Sequence, residues 1–506
     1  PRIAVNVGGV TRYASYGAGT GTSTLTFTYS AQAGDLDLDG VTLSSPLDLN
    51  GGTITDLNGN PETDLTFSVP NTSGIKVDYP SLSMDFTIDS DGQYTLNGTT
   101  YNSLSAFLTA TSGTFTRSSI GTYFDSTGTL QTASSDQPRF DYDPVTHAAK
   151  GFLIEELRTN LISRSEELDL WGKVTSTVTA NSTTAPDGNL SADLLTANTV
   201  TVNNGLVSNS VTGSFATYTS SVYVKAGNSS HVRIQPHSNI DSTSTGFVAS
   251  FDLATQTATI SSTYGGKFTN MSATITPVGG GWYRLTTTYT VTGTVYNSAL
   301  VIWLYPYQTG DSAGSNVYFW GNQLEVGSFA TSYIPTISSA VTRQKDVTTI
   351  PISGWFNPAE GGAFASWTKF ANPNTVIFEL KDASAPTSDR FNVFSGARKT
   401  RLQIFPQGIA VIDSSGTYVP FVANNTVKAA LAYKSGDSAV TADGVAPLTS
   451  SASFSPVSNY TELNLGRTDN NIYGNPISSG AVNGHLQNFK YYPARIANTQ
   501  LQLLTQ

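Results

Sequence analysis

Three aspartates spaced two apart, Asp35, Asp37 and Asp39 in GDLDLDG (34–40), form the acidic cluster best suited to a hard cation. Carboxylates at alternate positions closed by a glycine match the first half of a calcium loop. The bidentate glutamate such a loop needs at its twelfth position is replaced by Pro46, which excludes the complete helix–loop–helix site. On a strand these side chains would share one face and repel one another. A turn at Gly40 would instead gather them, with Asp56 and Asn58 as further oxygen donors. Calcium is therefore the cofactor this segment admits, and a solvated loop is the alternative. Asp89 and Asp91 in DSDG are accounted for by a hairpin turn.

Two strand-like stretches carry side chains that could hold a polyhydroxylated ligand. In VIWLYPYQ (301–308), the strand period places Val301, Trp303, Tyr305 and Tyr307 on one face and Ile302 and Leu304 on the other. With the aliphatic side in a core, the aromatic side is a ladder able to stack on pyranose rings. The alternative buries the aromatic side in the core or against a neighbouring subunit. Pro306 points to an edge position. In HVRIQPH (231–237), His231, Arg233, Gln235 and His237 form a polar row that could bond sugar hydroxyls, or a carboxylate through Arg233. It could equally be the wet face of a sheet. The two histidines lie roughly 20 Å apart along a strand, so one metal cannot take both.

Other chemistries are disfavoured. The sequence has no cysteine, which removes disulfides, thiolate metal sites and cysteine nucleophiles. Neither an HExxH nor a phosphate-binding GxxxxGK[ST] loop occurs. GDSAG (310–314) has the pattern of a nucleophile elbow around Ser312, but SNVYFWG follows as a strand where a helix is required, so a plain turn is expected. A polysaccharide-cleaving site would need two carboxylates roughly 5 to 9.5 Å apart. Glu325 and Glu379 are candidates only by residue type, and the chain reads as a non-enzyme. A net charge of −10 argues against nucleic acid. No apolar run approaches the ~20 residues of a membrane helix. The chain opens at Pro1 without an initiator Met, which suggests processing or numbering from inside a longer product.

Glycine (45), phenylalanine (24) and tyrosine (24) are abundant and charged residues are only 12% of the 506, a composition of strands and turns. The predicted class is all-β with several domains. Residues 1–80 read as a small antiparallel sandwich of short strands. Residues 81–165 read as an irregular connector, with a hairpin turning at Asp91-Gly92 and a short helix at Leu104, Phe107 and Leu108. FLIEELRTNLISRSEEL is a second helical candidate, although GFLIEE could equally be extended. Strands of about seven to ten residues then recur over 166–345, as in a two-sheet jelly roll. A second strand-rich unit fills 346–506, including IAVIDSSG (409–416), and ends in a helical turn with Leu501, Leu503 and Leu504.

Several phrases together resemble tailed-bacteriophage fibre and other virion appendage proteins. QPRFDYDPVTHAAKGFLIEELRTNLISRSEELD (137–169) resembles a segment that recurs in them. VYFWGNQLEVGSFATSYIPT (317–336), followed by VTRQKDV, is similar to the end of the carbohydrate-binding-module-like jelly roll that comes next in such proteins. LAYKSGDSAVTADG, NLGR and NGHLQNFKYYPARIANTQLQLLT resemble the closing strands of a concanavalin-A-like, laminin-G-type sandwich. AGDLDLDGVTL and TITDLNGN resemble Ig-like modules of bacterial surface and phage proteins.

The resemblance implies a phage particle as location and sugar-binding folds, not an intact sugar site. Lectin sandwiches of this type often hold a cation near positions matching Asp437, Asp443 and Asn464, but no metal is assigned there. His485 is expected at the surface. The expected protein is a fibre or appendage subunit bound to other virion proteins, commonly as a homotrimer, although no heptad run supports a coiled coil. It would contact host-surface polysaccharide through Trp303, Tyr305, Tyr307, His231, Arg233 and Gln235, without catalysis, and would not insert in membranes. The rival is a purely structural capsid, collar or tail component with no sugar site.

Overall fold

A computed structural model describes residues 1–200, 205–370, 375–381, 390–396, 399–405, 412–413, 422–455, 460–466 and 481–506. Most of IAVIDSSG (409–416) lies outside these residues. The chain is nearly all β. Among the described residues its α-helices are Leu104–Thr111 and Asn498–Leu504. It divides into two compact units, one of residues 1–114, 348–482 and 486–506, the other of 115–347 and 483–485.

The first unit begins with an antiparallel sheet in the order Thr26–Thr28, Val10–Ala18, Arg2–Val7, Thr42–Asp48. A two-stranded ribbon pairs Asp35–Asp37 with Val77–Tyr79. Val5, Val7, Ala14 and Val41 are its buried apolar cluster. The later part of this unit contains a long sheet ordered Leu448–Ser450, Ser438–Ala442, Val427–Lys434, Glu360–Lys369, Gly484–Tyr492, Leu82–Asp85, Gln93–Leu96, Thr99–Tyr101. A second sheet holds Val347–Pro351, Glu462–Leu465, Thr375–Lys381, Arg390–Gly396, Lys399–Phe405 and Ile412–Asp413.

The hairpin expected near Asp91-Gly92 is therefore part of this long sheet, between Gly484–Tyr492 and the edge strand Thr99–Tyr101, with Asn488 opposite Asp85 and Phe489 opposite Met84. The helix Leu104–Thr111 follows it and buries Leu104, Phe107 and Leu108, the residues whose spacing predicts it. Ser103 caps its start by accepting from the Ala106 N–H at 3.2 Å.

In the second unit, two six-stranded antiparallel sheets face each other. One runs Gly172–Lys173, Leu206–Val207, Val301–Tyr305, His231–Ile240, Thr243–Asp252, Thr257–Tyr264. The other runs Ser176–Thr184, Leu190–Ala197, Asn316–Val326, Thr217–Ala226, Trp282–Val291, Phe268–Pro277. Between them lies one apolar core that includes Val232, Ile234, Phe247, Phe251, Leu285, Tyr289, Ile302, Leu304 and Phe319.

FLIEELRTNLISRSEEL is not helical; the extended alternative for GFLIEE is the one observed. Ala149–Ile154 and Arg158–Asn160 are strands, and only Leu168–Leu170 forms a single 3-10 turn. Buried ion pairing in the same segment accounts for this. Arg139 binds Glu155 at 2.7 Å and Asp346 at 2.6 Å, Arg117 binds Asp346 at 2.9 Å, and Arg343 binds Glu155 at 2.9 Å. All five side chains are at most 1% exposed. A charge removed from water this completely requires such partners, and they dictate the local backbone. The Ser332 N–H and hydroxyl also donate to Glu155, each at 2.7 Å.

Candidate functional site

The two stretches singled out by alternation are neighbours. His231–Ile240 and Val301–Tyr305 pair antiparallel, with Arg233 opposite Tyr305, Gln235 opposite Trp303 and His237 opposite Val301. Burial along 231–240 alternates without a break, the even-numbered residues entering the core. Ile302 and Leu304 also enter the core, as the strand period predicts. The aromatic and polar rows thus share the outer face of one sheet.

That face is laced together by hydrogen bonds. The Tyr305 hydroxyl donates to Gln235 Oε1 at 2.9 Å, and Gln235 Nε2 donates to the Tyr264 hydroxyl at 2.8 Å. His237 Nδ1 lies 3.0 Å from the same hydroxyl. At the other end, His231 Nδ1 meets Asp311 at 3.0 Å and its Nε2 lies 2.9 Å from Gln308 Nε2. Burial lowers the pKa of His237 and raises those of the Tyr264 and Tyr305 phenols, so near neutral pH these are uncharged hydrogen-bonding groups.

The aromatic row differs from the open ladder expected of it. Trp303 stacks on Tyr305 with centroids 6.2 Å apart and planes at 10°, and Tyr307 meets Tyr305 edge-on at 6.0 Å. Tyr305 and Tyr307 are only 2% and 1% exposed and cluster with Ala197 and Val200. The chain's own 197–200 segment therefore helps to close over the row. Only Trp303 remains half-buried, with a surface left for a ligand. Arg233 lies over both tyrosines, its guanidinium carbon 4.8 Å and 4.6 Å from the ring centroids. Pro306 does not mark an edge. Its strand is flanked by Leu206–Val207 and His231–Ile240, and the proline follows the last paired residue, where no ladder N–H is needed.

The outer face of the opposite sheet is filled by the protein itself. Tyr223, Trp282, Trp320 and Tyr333 are buried there with Leu130, Ala185 and Val278. Thr122 Oγ1 donates to the Tyr333 carbonyl, and the Leu130 N–H to the Pro186 carbonyl, fastening residues 121–133 across this side. Of these two sets, the one around Trp303 is the less completely covered.

The other candidates have local duties. Asp35 accepts from Arg12, Tyr29 and the Gln32 N–H, Asp37 from the Gly8 and Gly40 N–H groups, and Asp39 from Gln500 Nε2. Gly40 does make the expected turn, at φ +112° with Ser73 packed so closely that a Cβ would lie 2.4 Å from its carbonyl oxygen. The turn does not gather the three carboxylates. Among the described residues, no three acidic, histidine or cysteine side chains are grouped to hold a metal.

Asp437 pairs with Arg495, Asp443 accepts from the Lys428 N–H, and Asn464 accepts from Thr349. Ser312 is exposed in a turn, with its carbonyl accepting from Ser315. Glu325 is fully buried, and its carboxylate accepts from the Thr331 N–H and hydroxyl. Glu379 is also buried. His485, expected at the surface, is 3% exposed with Nε2 2.8 Å from Asp141, because a carboxylate distant in sequence gives it a partner.

Tyr264, Gln308 and Asp311 belong to the face but escape sequence reasoning. The one local hint is the carboxylate in GDSAG, whose loop folds back onto His231.

No family model matches the chain, and no curated protein does. Among solved structures, the NanB sialidase from Streptococcus pneumoniae aligns at 13% identity over 31% of this chain and 26% of its own, with a TM-score of 0.25. The Ruminococcus gnavus IT-sialidase CBM40 bound to alpha2,3 sialyllactose aligns at 13% identity over 29% and 85%, with a TM-score of 0.23. Mouse laminin alpha1 domains LG4-5 align at 11% identity over 63% and 89%, with a TM-score of 0.21. The structural neighbours thus include a carbohydrate-binding module and laminin-G domains. At these scores the likeness carries no weight for fold or ligand.

Proposed function

We propose that the chain is a subunit of a tailed-phage fibre or appendage that holds host-surface glycan reversibly and without catalysis. The observation that carries the binding reading is the pairing of Gln235 with Trp303. It sets a half-buried indole beside a row of oriented polar side chains on an outer sheet face. A sugar ring stacks on the indole, while Gln235, His231 and Arg233 supply hydrogen bonds to its substituents. The location on a phage particle is supported by the resemblance of 137–169, 317–336 and the closing strands to virion appendage proteins. One shallow face binds weakly, and several copies on a homotrimer or a particle would raise avidity through effective concentration.

The structural-component reading draws on the burial of Tyr305 and Tyr307 beneath the chain's own 197–200 segment. It predicts that Trp303 has no ligand.

Binding of the full chain to cells of a susceptible host and to their extracted surface polysaccharide separates the two. Saturable binding, reduced at least tenfold in Trp303→Ala with the unfolding midpoint unchanged, is the expected result. Absence of binding by folded, assembled protein leaves a structural virion component.

A further inference from the structure

Resting on the glycan-binding reading, we infer that the saccharide taken by this face carries a carboxylate, received by Arg233. Among the described arginines of this unit, Arg117, Arg139, Arg158, Arg164 and Arg343 each pair with a carboxylate. Arg284 donates to the Ser221 hydroxyl and the Thr331 carbonyl. Arg233 has two tyrosine rings against it and, among the described residues, no carboxylate, and its Nε, like those of Arg139, Arg284 and Arg343, is buried without an acceptor. Asp311, the acid brought to this face, is engaged by His231 and the Gln308 N–H.

A guanidinium held 4.8 Å and 4.6 Å from two ring centroids whose planes stand at 81° is kept in place by cation–π attraction, and its fork of donors suits two parallel bonds to a carboxylate. Charge-assisted bonds at a partly desolvated position are also stronger than hydroxyl bonds there. Position agrees with this chemistry. Arg233 is diagonal to Trp303 across adjacent strands, a separation of roughly 7–8 Å. An acidic sugar can stack on the indole and direct its carboxylate to Arg233, with Gln235 between them. The chain's net charge of −10 opposes anionic polymers at long range, so a local, desolvated cation must provide the attraction.

The test is an array of purified bacterial surface polysaccharides, both acidic and neutral, probed with the full chain. Each acidic polymer bound is measured again after chemical reduction of its carboxyl groups to alcohols. We expect acidic polymers to bind preferentially, with affinity falling at least tenfold on carboxyl reduction and in Arg233→Gln, and less in Arg233→Lys. If Arg233→Gln unfolds, the reduced polymers with the unaltered protein decide the matter. Equal binding of native and reduced polymers, lost in Trp303→Ala, would overturn the carboxylate inference and keep the face as the site. Failure to bind any member would overturn both.

Discussion

Trp303 and Leu304 are consecutive residues of one strand with opposite surroundings. Trp303 lies on the partly open outer face above Gln235, and Leu304 is wholly enclosed between the two sheets. Leu304→Ala should cost about 2–5 kcal/mol of stability through lost burial and a cavity, while the folded fraction keeps its glycan affinity. Trp303→Ala should do the reverse. Thermal unfolding and binding isotherms on the two variants check this; matching losses of stability in both would refute the face assignment.

Glu155 gives the protein a defined acid limit. Burial alone would raise its pKa, but Arg343 and Arg139 outweigh that and hold it down from 4.5 to about 2. A carboxyl depressed in the folded state contributes stability above its unfolded pKa, and that contribution fades as pH falls through 4.5 towards 2. The shift corresponds to about 3 kcal/mol. Denaturant midpoints between pH 6 and 2 should fall steeply in the unaltered chain and more gently in Glu155→Gln.

At neutral pH, Arg139 is the partner shared by Glu155 and Asp346, each of which keeps a second guanidinium, Arg343 or Arg117, when it is removed. Arg139→Met should therefore lose on the order of 1.5–3 kcal/mol, the contribution of a hydrogen bond to a charged group. A double change, Arg139→Met with Glu155→Leu, should lose less than the sum of its parts, which a double-mutant cycle would measure. Strict additivity would mean that the pair is not coupled.

The aspartates of GDLDLDG are bound by protein donors, so chelation with EDTA should leave the unfolding midpoint unchanged. Asp37→Ala should cost about 1–3 kcal/mol of stability, because the Gly8 and Gly40 N–H groups lose their acceptor. Calorimetry with and without added calcium provides the comparison. A calcium-dependent rise of several degrees would restore a cation site.

What could be read from the sequence follows the range of the forces involved. Alternation along 231–237 and 301–305 is a property of neighbouring residues, so the two rows and the core roles of Ile302 and Leu304 were legible. The helix at Leu104–Thr111 was legible for the same reason. Closure over Tyr305 and Tyr307 was not, because Ala197 and Val200 lie about a hundred residues earlier. Leu153, Ile154, Leu157 and Leu161 have helical spacing, but Glu155 among them pairs with Arg139 and Arg343 and its N–H bonds Asp346, and tertiary pairing prevails over local preference. His485 joins Asp141 across 344 positions, so no local window could place it inside.

The first unit is assembled from both ends of the chain, with the second unit's 115–347 inserted between them. Gln500 binds the Leu38 N–H and Asp39, and Lys490 and Tyr492 bind Asp78. During synthesis, strands of the 82–101 region must therefore wait for a partner made about four hundred residues later. Leu82–Asp85 in particular leaves the exit tunnel with an unpaired edge facing the position that Gly484–Tyr492 will fill. Premature termination before Gly484–Tyr492 therefore leaves an open strand edge about four hundred residues upstream of the break, a template for misassembly.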